Sequence, residues 1–178
     1  MTAHLPLRFD GVMRPEWVDF AVVTVASCST EQEFLLQLRS HLAPHIGGRV
    51  ALTKSVTLLQ QTVGYRSPLG RDRIVACAAE MERLSPERRT IVRLRLVLDA
   101  SPFFADCAGV LVRFAAASDQ PMAFGDLLER IERRYGQRGS VRRRVHYVLH
   151  SMLHLGGAAH SAGGWQPSEG LCELVANR

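Results

Sequence analysis

No aspartate or glutamate occurs between Arg133 and Ser168, a run of thirty-six residues in a chain of 178. For arginines in the interior of the run, such as Arg142 to Arg144, that absence removes the usual local partners, which are acids three or four positions away on the same helix. Apolar runs are short too. None approaches the roughly 18 uncharged residues that a membrane-spanning helix needs, and the longest candidate, Phe20 to Ser27, falls far short. The first residues set Asp10 and Arg14 among short apolar pieces and lack a secretory leader pattern, so a cytoplasmic location is expected. The cysteines Cys28, Cys77, Cys107 and Cys172 are widely spaced and form no C-x-x-C pair, which points to buried reduced thiols. A glycine-rich phosphate loop, a G-x-S-x-G elbow and a paired-carboxylate arrangement are all missing. Neither an enzyme nor a cofactor is expected.

What is present is a folding chain with a local excess of positive charge. Hydrophobic residues make up 47% and charged residues 22%, which describes a globular protein and not a disordered tail. The acid-free run holds Arg133, Arg134, Arg138, Arg142, Arg143 and Arg144, together with His146, His150, His154 and His160. It supplies +6 against a total of +5, leaving −1 for the rest of the chain. Charge concentrated in this way is what a polyanion-binding face looks like.

Helical signals dominate the pass along the chain. Pro15 opens a helix through Trp17, Val18, Phe20, Ala21, Val22 and Val25 to about Ser27. Thr30 and Glu33 form a capping box ahead of Phe34, Leu35, Leu38 and Leu42. A third helix runs from Arg49 to Val63, closed by Gly64, and residues 64–71 read as a linker. A helix over about 72–84 follows, then one capped by Ser85 with Pro86 at its first position, ending at Ser101-Pro102. Beyond it come an apolar helix over 103–117, a short extended piece at Pro121–Phe124, and an amphipathic helix over 125–135 ended by Gly136. A helix over 140–155, a glycine-rich hairpin within 158–168 and a last turn or two over 168–176 complete the chain.

The helix over 140–155 is the informative one. On a wheel of about 100° per residue, Val141, Val145, Val148, Leu149, Met152 and Leu155 share the packing side. Arg143, His146, Tyr147, His150 and His154 lie opposite, with Arg142 and Arg144 on the edges. A merely solvated helix face usually mixes signs at i, i+4 spacing, and here no acid is nearby in sequence. A burst of arginines at the helix start fits a recognition helix, its first turn meeting bases while flanking arginines hold phosphates. Ser140 is expected to cap it, Arg138 to contact backbone from the turn, and Arg134 to support from the helix before. His160 and Trp165 fall in the hairpin, with a buried structural Trp165 the plainer alternative. Arg49 and Lys54, the only lysine, open the second member of another helix–turn–helix-like pair and are candidates for a second DNA contact, with plain core-forming helices the favoured alternative.

Two further constellations point to chemistry less well. His146, His150 and His154 have the i, i+4 spacing of metal ligands, yet no carboxylate accompanies them and three arginines stand beside them, so no metal is expected. His41 and His45 with Cys28 upstream resemble a nucleophile and base, but their place beside Pro44 at a helix end suits histidines satisfying late carbonyls.

Several segments carry a family resemblance: Ser101-Pro102-Phe103-Phe104-Ala105-Asp106, Tyr135-Gly136-Gln137-Arg138-Gly139-Ser140-Val141-Arg142-Arg143, and Leu153-His154-Leu155-Gly156. With Trp17 and the Gly48 to Lys54 region, they resemble the small helical BrxA-type proteins of bacterial BREX phage-defence islands. That resemblance implies a winged-helix DNA binder without catalysis of its own, acting beside larger methyltransferase, ATPase and phosphatase-like partners. It makes Arg138, Ser140, Arg142 and Arg143 the DNA-facing positions. The chain departs from the pattern at 158–165, where small residues replace a fuller wing.

The expected architecture is mainly α. It has an N-terminal helical bundle (1–70, with the helix–turn–helix-like pair at 30–63), connecting helices (71–100) and a C-terminal winged helix–turn–helix with a short β-hairpin (101–178). The expected function is non-catalytic binding of double-stranded DNA within a phage-defence system. A sequence-specific regulator of its own operon and a protein–protein adaptor in a defence complex are the alternatives. No membrane partner is expected.

Overall fold

Apolar residues recur at helical spacing along most of the chain, and the elements follow them. The computed structural model describes residues 9–178, so the leader reading of the first eight residues lies outside what is described. Within that range there are nine α-helices and one antiparallel hairpin. Helix α1 (Pro15–Ser27) starts at the expected proline and buries Trp17, Val18, Ala21, Val22 and Val25. Helix α2 (Glu31–Leu42) buries Phe34, Leu38 and Leu42. Thr30 Oγ1 accepts the Glu33 amide at 3.2 Å, but the Glu33 carboxylate reaches one residue further back than a capping box requires, to the Ser29 amide at 3.0 Å. A short 3-10 turn (Ala43–His45) leads to α3 (Arg49–Val63), and the linker leads to α4 (Arg71–Glu82).

Helix α5 (Arg89–Ala100) begins later than Ser85-Pro86-Glu87 suggests, because residues 86–88 form turns ahead of it. Tertiary contacts hold that turn. The buried Arg93 guanidinium reaches the Pro86 carbonyl at 3.3 Å while clamping both oxygens of Asp19 on α1, at 2.6 and 2.7 Å. Ser101 ends α5 and caps α6 (Pro102–Ala117) by accepting the Phe104 amide at 3.3 Å, with Pro102 where its missing N–H costs nothing. Helices α7 (Phe124–Tyr135), α8 (Gly139–His154) and α9 (Glu169–Ala176) complete the helical set.

Strands β1 (Ala158–Ser161) and β2 (Gly164–Pro167) pair Ala158 with Pro167 and Ser161 with Gly164. Met122, just before α7, adds an isolated bridge to Trp165 on the other edge of β2, with both backbone hydrogen bonds at 2.9 Å. The fold is therefore mainly helical with a small antiparallel hairpin near the C-terminus.

One hydrophobic core joins residues from both ends of the chain, including Phe9, Met13, Phe34, Phe103, Phe104, Met152 and Leu171. Helix α4 packs on α1, while α5 lies against α3, α6 and α9. Helix α6 is the hub of the C-terminal part, meeting α5, α7, α8, α9 and β2.

The hairpin's attachment rests on Gly164. Its φ of 132° is open to glycine and strained for other residues, and a Cβ there would overlap the Met122 carbonyl. Gly164→Ala should therefore cost on the order of 3 kcal/mol and detach the hairpin from Met122. Gly163→Ala, whose Cβ would meet only the Pro121 side chain at 3.3 Å, should be much milder. Chemical denaturation of the two variants side by side checks this; equal losses would contradict it.

Candidate nucleic-acid interface

Helix α7 buries Leu127, Leu128, Ile131 and Tyr135 and presents its arginines outward. Tyr135 sits edge-on to Phe103, with ring centroids 5.0 Å apart, and its hydroxyl donates to Asp106 at 2.6 Å. Burial, and then that carboxylate, push the Tyr135 phenol well above its ordinary value. Gly136 turns the chain at φ 81°, and the Arg138 guanidinium folds back to donate to the Tyr135 carbonyl at 2.7 Å. Helix α8 then begins at Gly139 with Arg138 as its N-cap and no side-chain cap. Ser140 is thus not the cap but part of the first turn. Chain geometry decides this, because the extended residue is Arg138 (φ −134°, ψ 138°).

The expectation that no acid reaches the arginines requires correction. Glu129 lies 2.5 Å from Arg133 one turn back on α7, where both side chains are largely exposed. Asp106 of α6 lies 3.1 Å from Arg134. Asp10 lies 2.8 Å from Arg144 and 3.9 Å from Arg143. Arg144 is only 14% exposed, so this pair is the most buried of the set. Arg138 and Arg142 have no carboxylate within 4 Å among the described residues. A run empty of acids in sequence is therefore not empty of them in space: three carboxylates attend four of six guanidinium groups.

The flanks of α8 also differ from the wheel. The chain before α1 lies along one flank, where Ser151 Oγ accepts the Met13 amide at 2.9 Å and donates to the Tyr147 carbonyl at 2.7 Å. Tyr147 is accordingly half-buried and packed against the core, not on the outer face. On the other flank runs a column of rings. Arg142 sits 5.5 Å over Phe124, and Phe124 is 4.9 Å from His146. His146 stacks on His150 at 5.2 Å with 7° between planes; His150 meets the edge of Trp165 at 5.7 Å, and Trp165 lies 4.4 Å from His160. Trp165 is 5% exposed, so it anchors the hairpin to α8 as a buried structural residue. Arg142, Arg143, His146 and His154 remain exposed. Among the described residues no three histidine, cysteine or carboxylate side chains converge as metal ligands.

The other weighed cluster has a plainer environment. His41 stacks on Phe20 at 3.7 Å and lies 6.0 Å from His45. Burial pushes the Cys28 thiol up, opposite to the shift of an activated nucleophile. All four cysteines are unpaired.

Burial lowers the His150 pKa from its ordinary 6.5, and the neighbouring His146, His154 and His160 lower it further. The folded state then holds fewer protons than the unfolded chain just below pH 6.5. Stability is accordingly complete above that value and is lost as pH falls through it; His41, also lowered by burial, adds in the same sense. Melting temperature should fall between about pH 7 and about pH 5, and His150→Gln should flatten part of that fall. An NMR titration of the His150 imidazole with a midpoint above 6.5 would contradict the assignment.

No protein-family model, no curated protein and no solved structure matches this chain.

Proposed function

We propose that this chain is a non-catalytic protein that binds double-stranded DNA through α8, in the manner of a winged helix–turn–helix. Four features support the reading: the order α6, bridge residue Met122, α7, short turn, α8 and hairpin; the second backbone pairing that Met122 gives to β2; the outward start of α8; and the charge it carries. The observation that carries it most is the exposed pair Arg142 and Arg143 in the first turns of α8. Arg142 is free of carboxylates among the described residues, and Arg143 has one only at the 3.9 Å limit. Arg138, beside the same uncapped helix start, adds a third cation. Backbone amides at such an end favour an approaching phosphate.

Arg133 and Arg134 take a lesser part in this reading because acids already hold them. Exposed pairs such as Arg133 with Glu129 are worth little and yield readily to phosphate. His146 and His150 stack on each other along the edge of α8 next to Arg142. The hairpin has no lysine or arginine, so its role here is to brace α8 through Trp165.

The BrxA-type resemblance is what suggests a phage-defence setting for such a binder, beside larger enzymatic partners. Regulation of its own operon is the sequence-specific form of the same reading. An adaptor that docks an acidic protein surface is the reading of a different class.

Duplex binding measured by fluorescence anisotropy separates them. For four phosphate contacts, affinity should fall about a hundredfold between about 50 mM and about 200 mM salt. Arg142→Glu combined with Arg143→Glu should nearly abolish binding. No binding of the wild type to any duplex at the lower salt would overturn the proposal and leave the adaptor.

A further inference from the structure

A second stretch of the chain is also free of acids. The thirty-eight residues 34–71 hold Arg39, Arg49, Lys54, Arg66 and Arg71 and no Asp or Glu. Two of these cations are engaged: Arg66 pairs with Glu31 at 2.7 Å, and Arg71 donates to the Cys28 carbonyl at 2.8 Å. Arg49 and Lys54, near the start of α3, are exposed with no carboxylate within 4 Å among the described residues.

One residue, Asp10, pairs with arginines of α8 and shares a depression with the middle and second half of α3. Its carboxylate faces Arg144 at 2.8 Å and Arg143 at 3.9 Å. With Lys54, Thr53, Thr57 and Gln61 of α3 it also borders a depression of about 240 Å3. The backbone here is fixed from both sides. Phe9 is fully buried with its ring centroid 5.5 Å from that of Phe104, and the Met13 amide is bonded to Ser151. The Asp10 side chain itself stays 44% exposed. A single part-exposed carboxylate thus pairs with guanidinium groups of one helix and borders a depression that an ammonium group and two hydroxyls of another also line. Arg144 is held in place by burial, its buried Nε has no acceptor, and its Nη2 donates to Asp10.

We propose that this depression is a seat for a DNA backbone phosphate, and that Asp10 is its internal stand-in. The proposal rests on the DNA reading above and extends it: the duplex backbone crosses from α8 to α3. On binding, the Asp10 carboxylate turns outward and a phosphate oxygen takes its place against Arg144 and Arg143, with Lys54 closing the other side. The exchange is one charge-assisted contact for another, and the displaced carboxylate is exposed enough to be rehydrated. Asp10 therefore weakens binding in the free protein by competing with the ligand for the same donors.

Anisotropy with a random-sequence duplex over a salt series tests this, alongside a thermal melt of each variant. Asp10→Asn should tighten binding about tenfold at low salt, since it removes the competing charge. Lys54→Gln and Arg144→Gln should each weaken binding and make the slope of log affinity against log salt shallower by about one. If Asp10→Asn binds no tighter while folded, or if both Gln variants keep the wild-type slope, the seat is overturned. Should Asp10→Asn fail to fold, the two Gln variants decide alone. The DNA reading survives either failure as long as Arg142→Glu with Arg143→Glu still abolishes binding; if the wild type binds no duplex, both fall.

Discussion

The outer surface of α8 is defined by how tightly the helix is held everywhere else. Val141, Val145, Val148, Leu149 and Met152 are buried beneath it. On one flank the chain before α1 is bonded to Ser151 and paired to Arg144; on the other, Phe124 and Trp165 line the row Arg142, His146 and His150. With three sides committed, the residues left to solvent are Gly139, Arg142, Arg143, His146, Leu153 and His154, four of them basic or histidine. Their presentation depends on the clamp. The Met122–Trp165 bridge and Gly164 matter for the same reason, since they fix the tryptophan against which His150 rests.

The electrostatics are less one-sided than the composition suggests. Acids reach the basic run from the helix before it, from α6 and from the chain ahead of α1. The geometry of each pair matters more than the number of pairs. An exposed pair such as Arg133 with Glu129 is screened and readily exchanged, whereas Arg144, largely buried, is a fixed donor with a part-exposed partner. This separates cations that hold the fold, such as Arg93 on Asp19, from cations available to a ligand.

Much of the fold was legible in the sequence because local signals and burial agree. The proline at the start of α1, the threonine before α2, the serine and proline at the α5–α6 junction and the glycine after α7 mark boundaries within a residue or two. The start of α5 was misread, since a serine–proline–glutamate signal competes there with an arginine that reaches back to the turn and across to α1. At the site, the packing side of α8 was readable from its period. The compensation was not: Asp10 is 134 positions from Arg144, and no window of sequence relates them. Tyr147 and the expected cap at Ser140 failed for the same kind of reason, one covered by distant chain and the other displaced by the conformation of Arg138. Lys54 and α3, by contrast, are legible beside α8 as a candidate second contact, and the acid-free run 34–71 around them is a signal of the same kind.

The most direct test of the central claim is to map which backbone amides respond when a duplex is added to isotopically labelled protein. Perturbed NMR signals should cluster at residues 138–147 and near the start of α3, and should fade as salt is raised. Perturbations confined to α4 and α5, with the α8 signals unmoved, would contradict the account.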